Sequence, residues 1–434
     1  MLSNLVEQFE SAIARASTIT PIGLVSQARG YAIESDGPDA AMGELCTITS
    51  HNQQPISAQV IGFNNGKLTL MPFGQTMGIR LGSRVTAQGK FPSIVVSDAL
   101  IGCTINGAGE PLDESTKVEV GSNISLEGSS QNPLNRKLIN ERLETGIPLI
   151  DIFLPLGKGQ RIGLFAGSGV GKSTLLGKIT QTQLADIIVI ALIGERGREV
   201  NEFIYHTLTE EQRKRAIIVV ATADEPPIMK IMAANAAMSI AEYFCAKGKD
   251  VLLAMDSITR LAMAQRELGL IVGEPPTSRG YTPSSFATIA KLAERAGNFK
   301  NQGSITSIFS VLVEGDDHNE PVADHVRSIL DGHIVLSREI ANRNLYPSIN
   351  LLQSVSRLYS RLTSDYDQKL INRLRKYLAE YSQIREMIEL GAYEKGKNIE
   401  HDQIISLYKK LEPVLYADKY AQSSNVLKTI SHWL

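Results

Sequence analysis

Cysteine is scarce: Cys46, Cys103 and Cys245 are the only three in 434 residues, widely spaced and without a C-x-x-C pair. An odd, scattered set excludes a disulfide framework and reads as reduced, buried thiols of a cytosolic protein. Long apolar runs are missing too. No stretch reaches the roughly 18 residues that a membrane-spanning helix needs, so no segment reads as transmembrane. Met1–Glu10 lacks the basic start and apolar core of a signal peptide. Excess charge is also absent: the formal net charge is −2, which gives no electrostatic case for nucleic-acid binding. What remains is an ordinary globular mix, 43% hydrophobic and 21% charged, long enough for two or three domains with their own cores.

Within that mix one stretch carries chemistry. An apolar run ending at Phe165-Ala166 enters Gly167-Ser168-Gly169-Val170-Gly171, and Lys172-Ser173-Thr174 then opens a helix. This is a phosphate-binding loop, with Ala166 where the strict G-x-x-x-x-G-K-[ST] pattern has its first Gly. Glycines let backbone N–H groups curl round phosphate oxygens, and the helix N-terminus adds partial positive charge. Lys172 is expected on the β- and γ-phosphates of a nucleotide and the Ser173 hydroxyl on Mg²⁺.

The pattern around this loop changes along the chain. Residues 1–20 place Leu2, Leu5, Phe9 and Ile13 on one helical face, suited to core packing or to docking a partner. Residues 21–91 hold short β-type runs, among them Ile22–Val25, Glu44–Ile48, Ala58–Ile61 and Lys67–Met71, with Asn64-Asn65-Gly66 as a hairpin signal. They predict a small barrel. Its five basic residues and three aromatics over 21–90 are too few for a groove that stacks and neutralises single strands, so it reads as an assembly barrel. Residues 92–160 carry turn-rich connections such as Asn106–Gly109 and Glu127–Pro133, and from 161 to about 345 strands and helices alternate, so 92–358 reads as one phosphate-loop domain. Ile187–Ile193, Ala216–Ala221 and Val251–Met255 are near-continuous apolar runs, as in a parallel sheet covered on both faces. Residues 359–434 turn helical, with Leu370, Leu374, Tyr377, Leu378, Tyr381, Ile384 and Ile388 on one face; Gly391 and Gly396 break that helix before further short ones.

Hydrolysis needs more than a phosphate cradle. Asp256 ends an apolar strand, beside the loop in a parallel sheet, where a Mg²⁺-organising carboxylate belongs; capping the next helix is its plainer use. Glu195 ends another, read as one strand over from the loop, placed to orient and polarise an attacking water. Arg196 beside it is in reach of a γ-phosphate. Tyr346 offers a flat face for an adenine ring. Arg357 suits an arginine finger reaching a neighbour's nucleotide.

Together these segments resemble the rotary-type ATPase superfamily. Pro347–Ser356 matches its P-[SAP]-[LIV]-[DNH]-x-x-x-S-x-S signature. The Phe165–Ser173, Leu192–Val200, Glu314–Asp317, Pro321–Asp324 and Asp331–Arg338 blocks are similar to the type III secretion and flagellar export branch, where Ala166 is usual. The resemblance implies an N-terminal β-barrel, a recombinase-like α/β ATPase core and a C-terminal helical domain. It implies ATP and Mg²⁺, with Lys172 and Ser173 on phosphate and metal, Asp256 supporting the metal and Glu195 as the catalytic carboxylate. Arg196 then contacts phosphate, Tyr346 packs on adenine, and Arg357 is given to an adjacent subunit of a homohexamer. It further implies a stator protein at the N-terminus, a central stalk, export substrates and chaperones on the C-terminal helices, a cytoplasmic location at the inner-membrane export gate, and no nucleic acid. Glu141, in place of a usual Pro, and the Thr277–Tyr281 loop depart from the branch without touching the catalytic set. Asn319–Asp324 leans towards a virulence injectisome rather than a flagellum.

Other readings are an ATP synthase catalytic subunit, an RNA-translocating ring helicase and a nucleotide-binding subunit without turnover. Only 77 residues follow Arg357, with no acidic lever run, which argues against the first. The barrel's composition argues against the second, and the full catalytic set against the third.

Overall fold

The structure, a computed structural model, describes residues 21–49, 54–113, 120–128, 132–181, 185–313, 317, 320–417 and 423–433. The helical stripe expected over residues 1–20 lies outside them, as do 314–316 of the export-type block Glu314–Asp317 and Asn319 of the segment that leans towards an injectisome. The chain forms two compact units, one from residues up to 92 together with 271–273, the other from the remainder.

The first unit is a closed barrel. Its strands are β1 (Ile22–Arg29), β2 (Ala32–Asp36), β3 (Leu45–Thr49), β4 (Ile56–Asn64), β5 (Lys67–Pro72) and β6 (Arg84–Ala87), in the order β1-β2-β5-β4-β3-β6. Alternation drives it: Val25, Ile33, Cys46, Ile48, Val60, Leu70 and Val85 point inward and are buried. The β4–β5 hairpin turns on Asn65 (φ 48°) and Gly66 (φ 77°), the paired positive φ of a two-residue hairpin.

The second unit is built on a sheet. Two small ladders precede it: β7 (Ser93–Val96) with β9 (Ser122–Ser125), and β10 (Arg142–Leu143) with β11 (Leu156–Gly157). The main sheet comprises β8 (Thr104–Asn106), β12 (Arg161–Ala166), β13 (Ile187–Glu195), β14 (Ala216–Thr222), β15 (Asp250–Asp256), β17 (Ser304–Leu312), β18 (Gly332–Val335) and β19 (Val355–Ser356). Its order is β19-β18-β12-β17-β15-β13-β14-β8, with β16 (Gly297–Asn298) paired to β17. All neighbours from β18 to β8 run parallel, and β19 returns antiparallel.

Strand β17 went unread in the sequence because Ser304, Thr306, Ser307 and Ser310 interrupt its apolar run, although all are buried. It inserts between β12 and β15. Asp256 therefore lies two strands from the phosphate-loop strand and Glu195 three, which corrects the expectation of immediate neighbours.

Beyond the sheet run helices Asp365–Glu389, Ile399–Leu415 and Ser423–Ser431, the second longer than the short elements expected. Ser364 caps the first, its Oγ accepting from the Asp367 N–H at 3.2 Å. The helices share one apolar core with the sheet: Ile371, Leu374, Leu411, Leu415 and Ile430 belong to the same buried cluster as Leu149, Ile150, Ile162 and Leu164. Under this core Asp151 is fully buried and accepts from Thr145 N–H (2.8 Å), Thr145 Oγ–H (2.7 Å) and Gly146 N–H (2.7 Å). Burial pushes its carboxyl up to about 6, against the pull of those hydrogen bonds. Cys46 and Cys245 are buried as expected, while Cys103 is half-buried. Among the described residues no helix is long and apolar enough to cross a membrane.

Candidate active site

The phosphate loop sits where β12 ends and helix Lys172–Ile179 begins. Gly169 (φ 77°) and Gly171 (φ 87°) take left-handed backbone that side chains disfavour, which is why glycine stands there. The loop is fastened at both ends. Val313 N–H donates to Ala166 O at 3.0 Å, and Ser348 Oγ–H donates to Val170 O at 2.6 Å.

Three charged side chains meet beyond the loop. Lys172 Nζ donates to Asp256 Oδ1 and lies 3.8 Å from Glu195 Oε1. Ser310 Oγ–H donates to the same Asp256 oxygen at 2.5 Å. The sequence reading missed Ser310 for the reason it missed β17. Glu195 is aimed by a bulge, since the β13–β14 register slips between Ile193 and Glu195 and Gly194 takes φ 72°. Its Oε1 is buried without a hydrogen-bond partner. Burial, then the Asp256 charge, pushes the Glu195 carboxyl up to about 7, with Lys172 pulling the other way. A cavity of about 160 Å³ opens here, with Ser173, Glu195, Asp256, Glu199 and Phe203 in its wall.

The remaining candidates are spread out. Tyr346 lies beside the loop: a Cβ on Gly171 would sit 3.3 Å from its ring. Ser168, Gly169, Ser173 and Thr174 are exposed, while Gly167 and Val170 are buried. Arg196 is not in the cluster; its side chain is 82% exposed, with Glu199 at 3.5 Å. Arg357 is farther still. Its N–H donates to Asp331 O (3.0 Å), and Asp331 N–H donates to Arg161 O (2.9 Å), which puts it level with the first residue of β12. The phosphate loop starts five residues along, roughly 16 Å away at the rise of a strand. The exposed Arg357 guanidinium donates to Arg327 O at 3.0 Å. It is not a member of its own chain's phosphate site.

The donor set suits Mg²⁺. No cluster of three or more His, Cys, Asp or Glu able to hold a metal occurs among the described residues. Mg²⁺ needs none, because it takes one or two protein oxygens and fills its octahedron with phosphate oxygens and water. Ser173 and the Asp256 carboxylate, both in the cavity wall, match that requirement.

Comparison with known proteins agrees with this arrangement. The model of the ATP synthase alpha/beta family nucleotide-binding domain matches residues 146–356, that family's beta-barrel domain matches 25–89, and the T3SS EscN ATPase C-terminal domain matches 363–425. A flagellum-specific ATP synthase of Borreliella burgdorferi is 45% identical over 94% of each chain. One of Bacillus subtilis is 48% identical over 90% of this chain and 89% of its own. The solved structure of the assembled ATPase EscN of enteropathogenic E. coli superposes with a TM-score of 0.88 at 39% identity, covering 95% of this chain and 99% of EscN. EscN in complex with its central stalk EscO gives 0.85 at 38%, with the same coverage. The chain belongs to the ATP synthase alpha/beta family, in its flagellar and type III secretion ATPase branch.

Proposed function

We propose that this chain hydrolyses ATP with Mg²⁺ in a ring of identical subunits and so drives delivery of substrates into a protein export apparatus. The observation that carries this is the position of Arg357. The site around Lys172, Glu195 and Asp256 holds a cradle, a metal-binding carboxylate and a buried acid, yet the only cation the sequence marked as a finger lies at the far end of β12. A neighbour's Arg357 completes the site in this reading, as the assembled state of EscN supports.

The roles follow from the surroundings. Gly167–Gly171 N–H groups and the N-terminus of helix Lys172–Ile179 hold the phosphates. Lys172, now engaged with Asp256 and Glu195, turns to the phosphate charge. Ser173 and Asp256 would hold Mg²⁺, which when bound would supply positive charge against the phosphates. Glu195 has a buried oxygen with no hydrogen-bond partner in the protein, facing the Lys172 ammonium at 3.8 Å, so it can accept from a water. Its raised pKa poises it near neutrality as the group that orients and polarises that water. Tyr346 packs on the adenine, and Arg196 reaches phosphate from the solvent side.

A central stalk partner follows from the EscN–EscO complex. A stator on residues 1–20, substrates and chaperones on the C-terminal helices, and a cytoplasmic position at the inner-membrane gate complete the proposal. The identities of 45% and 48% belong to chains named flagellum-specific, against 39% for EscN, and this favours a flagellar machine over the injectisome that Asn319–Asp324 suggested.

The test is subunit mixing. Lys172→Ala is expected to abolish nucleotide binding or turnover, and Glu195→Gln to spare binding while removing turnover. Mixed Arg357→Ala and Glu195→Gln subunits regain turnover, because some interfaces then pair an intact Glu195 with an intact Arg357. Failure to regain any rules out the shared site, and stimulation by RNA points to a helicase instead.

A further inference from the structure

The loop that presents Tyr346 is tied to the phosphate loop by a bond that the catalytic reading does not use. Ser348 is 1% exposed, and its hydroxyl donates to Val170 O at 2.6 Å; Val170 is also 1% exposed. Ser348 is itself held, since its carbonyl accepts from Ser337 N–H at 2.8 Å and Leu336 N–H donates to Phe165 O at 2.8 Å on the strand that feeds the loop.

A trans peptide is planar, so its C=O and N–H point in opposite directions. Fixing the Val170 carbonyl towards Ser348 therefore fixes the Gly171 N–H away from it, on the open side of the loop. Glycine at 171, with φ 87°, would otherwise leave this peptide free to turn. We propose that Ser348 is a positioning residue for phosphate binding, holding the Val170–Gly171 peptide with its N–H presented to the nucleotide. The family signature admits Ser, Ala or Pro at this position, and neither Ala nor Pro can donate, so the latch is a property of this chain rather than of the signature. It also makes the base-side loop and the phosphate cradle one rigid piece. The inference rests on the nucleotide-binding reading of the site.

Without the hydroxyl, the free protein can turn the peptide to give the Val170 carbonyl another donor, and binding must turn it back. An unsatisfied buried acceptor costs about 1–3 kcal/mol, which at about 1.4 kcal/mol per tenfold corresponds to a roughly 5- to 150-fold weaker phosphate interaction. The experiment displaces a fluorescent ADP analogue from wild type, Ser348→Ala and Ser348→Cys with Mg-ATP and separately with adenosine, which lacks phosphates. The expected result is a loss of ATP affinity in Ser348→Ala within that range, with adenosine affinity unchanged. Ser348→Cys, of similar shape but with a weak donor, falls between and serves if the Ala variant does not fold. Equal losses for ATP and adenosine overturn the proposal, because Ser348 then shapes only the base side; so does no loss for either. Failure of the wild type to bind ATP at all sinks the nucleotide reading instead, and is distinguishable from both.

Discussion

Glu195→Gln should stabilise the nucleotide-free protein while removing turnover. The Glu195 side chain is 15% exposed and has Asp256 as a like-charged neighbour, and its pKa rises from 4.5 to about 7. At about 1.36 kcal/mol per pKa unit, the ionised form costs the fold on the order of 3 kcal/mol above pH 7. The sign follows from linkage: a carboxyl whose folded pKa is raised favours the folded state while protonated, and that advantage is lost as pH rises from 4.5 through 7. Gln does not titrate, so the variant escapes the loss. The raised pKa already includes the attraction of Lys172, so the gain at pH 8 is on the order of 3 kcal/mol. A chain of this length has a large unfolding entropy, so the shift in melting temperature is only about 3 °C. Thermal unfolding of both proteins between pH 5 and 8, without nucleotide, measures it. The gap should be under about 1 kcal/mol at pH 5 and widen towards pH 8. A Gln variant less stable at pH 8, or a gap independent of pH, refutes the argument that burial and Asp256 load this carboxylate.

Two other substitutions test the frame of the site. Asp151→Ala orphans three buried donors and should lower stability by about 3 kcal/mol or more, read by urea unfolding; a loss under about 1 kcal/mol means that water replaces the carboxylate. Gly171→Ala places a side chain at φ 87° with its Cβ 3.3 Å from the Tyr346 ring, so ATP affinity should fall at least about fivefold in equilibrium binding, and unchanged affinity would count against the tight approach.

Much of this site was legible because its chemistry is local. A phosphate-binding loop works through its own backbone, so the residues and the structure such a reading needs lie in one stretch, Gly167–Thr174. Glu195 and Asp256 were found by their place at strand ends, which the apolar runs before them mark. What failed was lateral order, since sheet order depends on long-range pairing and β17 carries too many buried serines to look like a strand. Strands β2 and β6 escaped for a similar reason: Ile33 and Val85 are their only fully buried apolar side chains. Ser348 lies within the Pro347–Ser356 signature, yet its bond to Val170 joins residues 178 positions apart and leaves no local mark.

The common core beneath sheet and helices has a consequence for engineering. Ile371, Leu374, Leu411 and Ile430 fill the same interior as Leu149, Ile162 and Leu164. A chimera that grafts the C-terminal helices of a relative onto this chain would therefore meet mismatched volumes rather than a clean junction at 358. Exchange of these helices between such proteins must carry the residues of 149–164 that share their core, and a graft that includes them should express and melt as one body where the bare helical graft does not.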